Sequence, residues 1–168
     1  MKFNSKPQNK RRAMMKKDRY ELGIEKFKEI KGDKGEQIVE RLIELDPDLA
    51  RYILEFPFGD IYNRPGLDLK SREIATLAAL VALGNAIPQL KVHIHGALNV
   101  GVSRQEIIEI IIQMAVYAGF PAALNAMYAA KEVFIEIDEK AKKKENVKLK
   151  DFKPEKSPPH LIKQNEQS

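Results

Sequence analysis

Helix-start and helix-stop signals recur along the body of this chain, and no run of alternating Val, Ile and Thr bounded by turns interrupts them. Asp18 can cap a first helix that ends at Gly32. Residues 35–45 then place Ile38, Val39, Leu42, Ile43 and Leu45 at helical spacing. Asp46-Pro47 is a cap followed by proline at the first helical position, and Leu49, Tyr52, Ile53 and Phe56 form the stripe behind it, which Pro57 should bend or end. Asn63-Arg64-Pro65-Gly66 reads as a turn; Asp68 caps a helix through Leu83, and Gly84 stops it. Residues 74–83 are apolar on every side except Thr76, which predicts a central helix. A further helix runs from about Pro88 to Val100, stopped by Gly101. Ser103-Arg104-Gln105-Glu106 is a capping box that opens an isoleucine-rich helix, broken at Gly119-Phe120-Pro121. The last helix starts near Pro121 and should fade within Lys142-Lys143-Lys144. The predicted fold class is therefore all-α.

The charge is unevenly placed. Of the net +5, residues 1–17 hold +7 and residues 146–168 hold +2, so the body, 18–145, is at −4. A mildly acidic body with basic ends is a poor nucleic-acid binder, and no nucleic-acid partner is expected. Both ends are expected to be flexible tails around one domain at 18–145, because they hold few large apolar residues among Lys, Asn and Pro. The longest apolar stretch, Ile74 to Leu83, is too short to span a bilayer, so no membrane partner is expected. The Lys and Arg near the start have no apolar run behind them, and the chain has no cysteine; both fit a cytoplasmic protein.

Three groups of residues could carry chemistry. Glu73 sits in the first turns of its helix, where a carboxylate is favoured by the dipole, yet the apolar stretch begins immediately after it. It is either an acid on a solvated face or a carboxylate at a buried one, able to act as general acid or base. His93 and His95 resemble a metal pair, but two residues apart on a helix they lie about 200° apart and cannot chelate one ion. No metal site is expected. His93 shares its face with Gly96, Ala97 and Val100, small residues that leave room for a ligand or a close helix. Tyr117 and Asn125 flank the break at Gly119-Phe120-Pro121, which could line a pocket or could be an ordinary helix–helix turn. Isoleucine all round 107–112 is more apolar surface than one small bundle easily buries, and it suggests subunit contacts.

Taken together, Arg64-Pro65-Gly66-Leu67-Asp68, Arg72-Glu73, His93-Ile94-His95-Gly96-Ala97-Leu98-Asn99-Val100-Gly101, Glu106-Ile107 and Tyr117 through Asn125 resemble the carboxymuconolactone decarboxylase family, within the alkylhydroperoxidase-like superfamily. The resemblance covers roughly residues 19–135. It implies an alkylhydroperoxidase-like helical bundle that assembles with itself as a homotrimer or homohexamer. It also implies a carboxy-lyase that needs no cofactor and acts on a small carboxylated lactone or related organic acid by acid/base chemistry. His93 matches the family's active-site histidine, and Glu73 would exchange protons with it. Arg64, Arg72, His95, Tyr117, Pro121 and Asn125 are then the candidate substrate-binding residues.

The peroxidase branch of the superfamily uses a Cys-x-x-Cys pair, where this chain reads Asn85-Ala86-Ile87-Pro88. With no thiolate nucleophile, thiol peroxidase activity is excluded. The chain also departs from the decarboxylases, which tend to show Trp where it has Phe58 and Tyr62, Ser at Glu73 and Arg at His95. An Arg would suit a carboxylate substrate. Arg64 or Arg72 would then supply that charge. The alternative is a non-catalytic oligomer that binds a small ligand or a partner protein, which a wide separation of Glu73 from His93 would favour.

Overall fold

In the computed structural model the described residues are 18–151, without the side chains of 33 and 147–151. They form seven α-helices and no strand: α1 (Arg19–Lys31), α2 (Gly35–Leu45), α3 (Pro47–Ile53), α4 (Leu69–Leu83), α5 (Ile87–Asn99), α6 (Arg104–Ala118) and α7 (Phe120–Asp151). A short 3₁₀ turn (Gly32–Lys34) joins α1 to α2, and a π-helical stretch (Leu54–Ile61) continues α3. The chain divides after Val133, with the remainder of α7 from Phe134 in a second unit; the candidate site lies entirely in the first. No described helix is long and apolar enough to cross a membrane.

The local signals act as the sequence predicts at most boundaries. Asp46 accepts from Leu49 N at 2.7 Å with Pro47 in the first turn. Asp68 accepts from Ser71 N at 2.7 Å, and Gly84 closes α4 in the left-handed region at φ 72°, which a residue with a Cβ rarely adopts. The capping box is complete: Ser103 Oγ accepts from Glu106 N, and Glu106 Oε2 from Ser103 N.

Three expectations are corrected. Pro57 does not break the helical path: the α-helix stops at Ile53, and Pro57 lies inside the helical stretch that follows. The backbone widens there into a π-helical stretch, in which Tyr62 N reaches back five residues to Pro57 O at 2.8 Å. A wider turn relieves the clash of the proline ring with the preceding turn. The last helix does not fade at Lys142–Lys144 but runs on to Asp151; the rest of the proposed C-terminal tail, and residues 1–17, lie outside the described residues. Finally, α4 is not buried all round. Leu77 and Val81 point into the core, whereas Ala75, Ala79, Ala82 and Leu83 face outward.

The core that positions the site is built by α1 lying across the π-helical stretch. Phe27 and Ile30 pack with Leu54 and Phe58. The Phe27 and Phe58 rings meet edge to face at 4.7 Å between centroids, and Phe58 continues to Tyr62 at 5.1 Å. The crossing is close because both elements present glycine. A Cβ on Gly23 would sit 2.1 Å from Leu54 O, and one on Gly59 would sit 2.5 Å from Arg19 O. Arg19 pins the start of α1 to the same stretch through Asp60, Nη2 to Oδ2 at 2.5 Å. From this base α1 also packs on α5, and α4 packs on both α5 and α6.

Candidate active site

Where α1, α4 and α5 meet, Glu73 is fully buried, at 0% exposure, among the side chains of the other two helices. Its Oε2 lies 2.9 Å from Nδ1 of His93. The two residues the sequence singled out are therefore in direct contact. The His93 side chain is 19% exposed, and among the described residues Nε2 makes no hydrogen bond. The ring is held at one edge and open at the other.

Two further groups complete the cluster. Lys31, in the last turn of α1, is 3% exposed and brings Nζ to 3.4 Å from the same Nδ1. Burial pushes the Lys31 ammonium below the usual lysine range, and the Glu73 carboxylate opposes that shift. Gly96 on α5 makes room for the amine: a Cβ there would lie 2.8 Å from Lys31 Nζ and 3.2 Å from Glu73 Oε2. The small face beside His93 thus admits a close helix.

On the other oxygen, Tyr62 OH lies 3.2 Å from Glu73 Oε1 and 2.9 Å from Thr76 Oγ1, which itself lies 2.9 Å from Arg72 O. The hydrogens can run either way along this chain. With Glu73 ionised, Tyr62 donates to it and Thr76 donates to Tyr62. With Glu73 protonated, Glu73 donates to Tyr62, Tyr62 to Thr76 and Thr76 to the Arg72 carbonyl. The two hydroxyls serve both forms of the carboxyl group. Burial first, and then the Glu73 charge, push the Tyr62 phenol up to about 12, so it remains a neutral donor across the physiological range.

The remaining candidates lie elsewhere. Arg72 stacks over the Tyr62 ring at 5.8 Å and donates to Leu67 O and Arg64 O, at 3.3 and 3.0 Å. Its visible task is to hold the 62–68 turn and, through it, Tyr62. Arg64 is exposed. His95 does not share the face of His93; its Nε2 lies 3.3 Å from Lys34 Nζ. Among the described residues no three His, Cys, Asp or Glu are grouped to hold a metal ion. Tyr117, Pro121 and Asn125 are exposed at the junction of α6 and α7, with Tyr117 at 75%.

That junction carries a second feature. Ile107 and Ile111, expected to contribute to surplus apolar surface, are core residues. Ile112 of the same run is exposed, as are Val116, Phe120, Leu124 and Tyr128, and several of these line a groove of about 460 Å³ that also includes Ile111, Ala115, Ala123 and Met127.

Sequence reasoning missed Lys31, Thr76 and the role of Tyr62. A lysine in the last turn of a helix is ordinary, since it complements the dipole. The available signal was Gly96, a glycine in mid-helix beside His93, which marks a close approach by another group.

Comparison with known proteins identifies the family. Residues 47–132, about half of the chain, match the model of the carboxymuconolactone decarboxylase family. A 4-carboxymuconolactone decarboxylase from Acinetobacter baylyi is 36% identical over 122 residues, 72% of this chain and 90% of that protein. A nitrosuccinic acid decarboxylase from Metarhizium robertsii is 35% identical over 92 residues, 55% of this chain and 64% of its own length. An uncharacterized 15.0 kDa protein from Paracoccus denitrificans is 39% identical over 97 residues, 57% of this chain and 72% of its own. The chain belongs to the carboxymuconolactone decarboxylase family.

Proposed function

We propose that this chain is a carboxy-lyase that removes CO2, without a cofactor, from a small carboxylated lactone or a related organic acid. The observation that carries the reading is the buried Glu73 carboxylate holding one edge of an imidazole whose other edge is open. In the proposed reaction the bond from carbon to the leaving carboxylate breaks, and its electron pair passes onto a conjugated carbonyl of the substrate. His93, protonated, stabilises that charge and then delivers a proton from Nε2 to carbon, and solvent returns a proton to the ring. Glu73 orients the ring and balances the imidazolium. The two named relatives support the substrate class, since each is named for decarboxylation of a small acid. The contact between Glu73 and His93 weighs against a purely ligand-binding role. The experiment is CO2 release from 4-carboxymuconolactone and related lactone acids. Release is expected and should fall steeply in Glu73→Gln and His93→Ala; release unchanged in both variants would rule out a catalytic role for either residue.

The assembly belongs to the same proposal. The exposed apolar groove along α6 and α7 supports burial against further copies of this chain, as a trimer or hexamer. In that assembly Tyr117, Pro121 and Asn125 keep their expected role as substrate-facing residues, with Arg64 the exposed cation available to a carboxylate.

A further inference from the structure

We infer that Lys31 is a positioning residue of this site: an ammonium delivered by α1 to the Nδ1 edge of His93 that sets how tightly the ring holds its proton. Lys31 lies outside residues 47–132, the span that the family model matches, and α1 brings its charge to the Glu73–His93 pair from a separate segment. The amine is buried, 3.4 Å from Nδ1, and it does not line the open edge at Nε2. It therefore acts on substrate through His93, not by contact.

The charged and titratable groups around the ring can be named helix by helix. From α1 comes Lys31, and from α4 comes Glu73, whose other oxygen meets Tyr62 from the end of the π-helical stretch. On α5 itself, His95 points to Lys34 of the 3₁₀ turn, and Lys91 pairs with Glu132 of α7. Two opposed charges thus face Nδ1. A carboxylate favours the imidazolium, and an ammonium disfavours it. Both lie close to one point on Gly96, 2.8 Å for Nζ and 3.2 Å for Oε2, so they are at most 6 Å apart and act on the ring together. The consequence is a stronger acid. A ring that carries its proton beside Lys31 releases it more readily, to carbon in the proposed reaction. Because Lys31 is buried, its charge is less screened than that of a surface lysine, which makes the effect larger.

The consequence for turnover rests on the decarboxylase reading, but the test does not. His93 is one of three histidines, so its ring signals can be followed by NMR against pH and assigned with His93→Gln. In Lys31→Met, which keeps an unbranched side chain beside Gly96, the His93 titration should move up by about one to three pH units. Because the chain has no cysteine, Lys31→Cys can be alkylated by 2-bromoethylamine while unfolded, restoring an ammonium of nearly the same reach at that position alone. After refolding, that protein should return the titration to its parent value. An unmoved or lowered titration in Lys31→Met overturns the inference, as does an upward shift that the restored ammonium leaves in place. Should Lys31→Met not fold, the Nζ signal of the parent protein decides: an ammonium throughout the His93 titration supports the inference, and a neutral amine there overturns it. In a protein that does release CO2, the limb of the kcat profile governed by His93 should move with the NMR value while KM holds.

Discussion

Replacing Glu73 by Gln removes the negative charge from a cavity that still holds a buried ammonium. Lys31 Nζ and Glu73 Oε2 are at most 6 Å apart. Unit charges at that distance attract by about 3 kcal/mol at an effective dielectric near 20. The glutamine has nearly the same shape, so little packing is lost, and the expected destabilisation at neutral pH is about 3 kcal/mol. Lys31 has one escape, which is to shed its proton; from an ordinary lysine value of 10.5 that sets a ceiling of about 5 kcal/mol at neutral pH. The sign of the pH dependence follows. The folded-state value of Lys31 already lies below the unfolded one, and the substitution lowers it further. Between the folded and unfolded values the unfolded chain binds more protons, so stability gains as pH rises. The deficit of Glu73→Gln should therefore shrink from neutral pH toward pH ~10. Urea unfolding at one protein concentration measures it, with Lys31→Met added in the same background. The double variant should recover more than half of the loss. Losses that simply add, or a deficit that does not change with pH, would show that Lys31 and Glu73 do not share their charge.

Other expectations are independent of that pair. Gly23→Ala would place a Cβ 2.1 Å from a backbone carbonyl and should destabilise by about 3 kcal/mol or prevent folding; a parent-like melting temperature would refute the close crossing. Of the five tyrosines, Tyr62 should ionise near pH 12, so one phenolate fewer should appear by difference absorbance at about pH 11, and Tyr62→Phe should abolish that late step. Val116→Asp, at a residue 79% exposed beside the apolar groove, should reduce the sedimentation coefficient toward that of a monomer without lowering helix content; an unchanged assembly would place the interface elsewhere.

Much of the fold was legible because its signals are local. Asp46-Pro47, Asp68, the Ser103–Glu106 box and Gly84 each act within a turn of their own position, and the helices begin and end beside them. Glu73 and His93 were legible as residue types at helical positions, and the packing of α4 on α5 brings them into contact. The rest depends on elements distant in sequence. Lys31 is 62 residues from His93, and nothing around it distinguishes it from any basic helix end until α1 lies on α5. Pro57 was misread because a proline ordinarily stops an α-helix, whereas a wider turn accommodates it. The burial of α4 was overestimated because alanine is counted as apolar but can equally stand in water, as Ala75 and Ala79 do.

The two glycines where α1 crosses the π-helical stretch also act as a gauge. Gly23 fits against Leu54 O only at one place along the helix, since its neighbours carry side chains. Lys31 lies eight residues farther on, about 12 Å along the axis of a rigid rod. A slip of one residue at the crossing would carry the amine about 1.5 Å along and roughly 100° around, away from His93. The tolerance with which a charge is aimed at the imidazole is thus set at the far end of the helix, by the absence of two methyl groups.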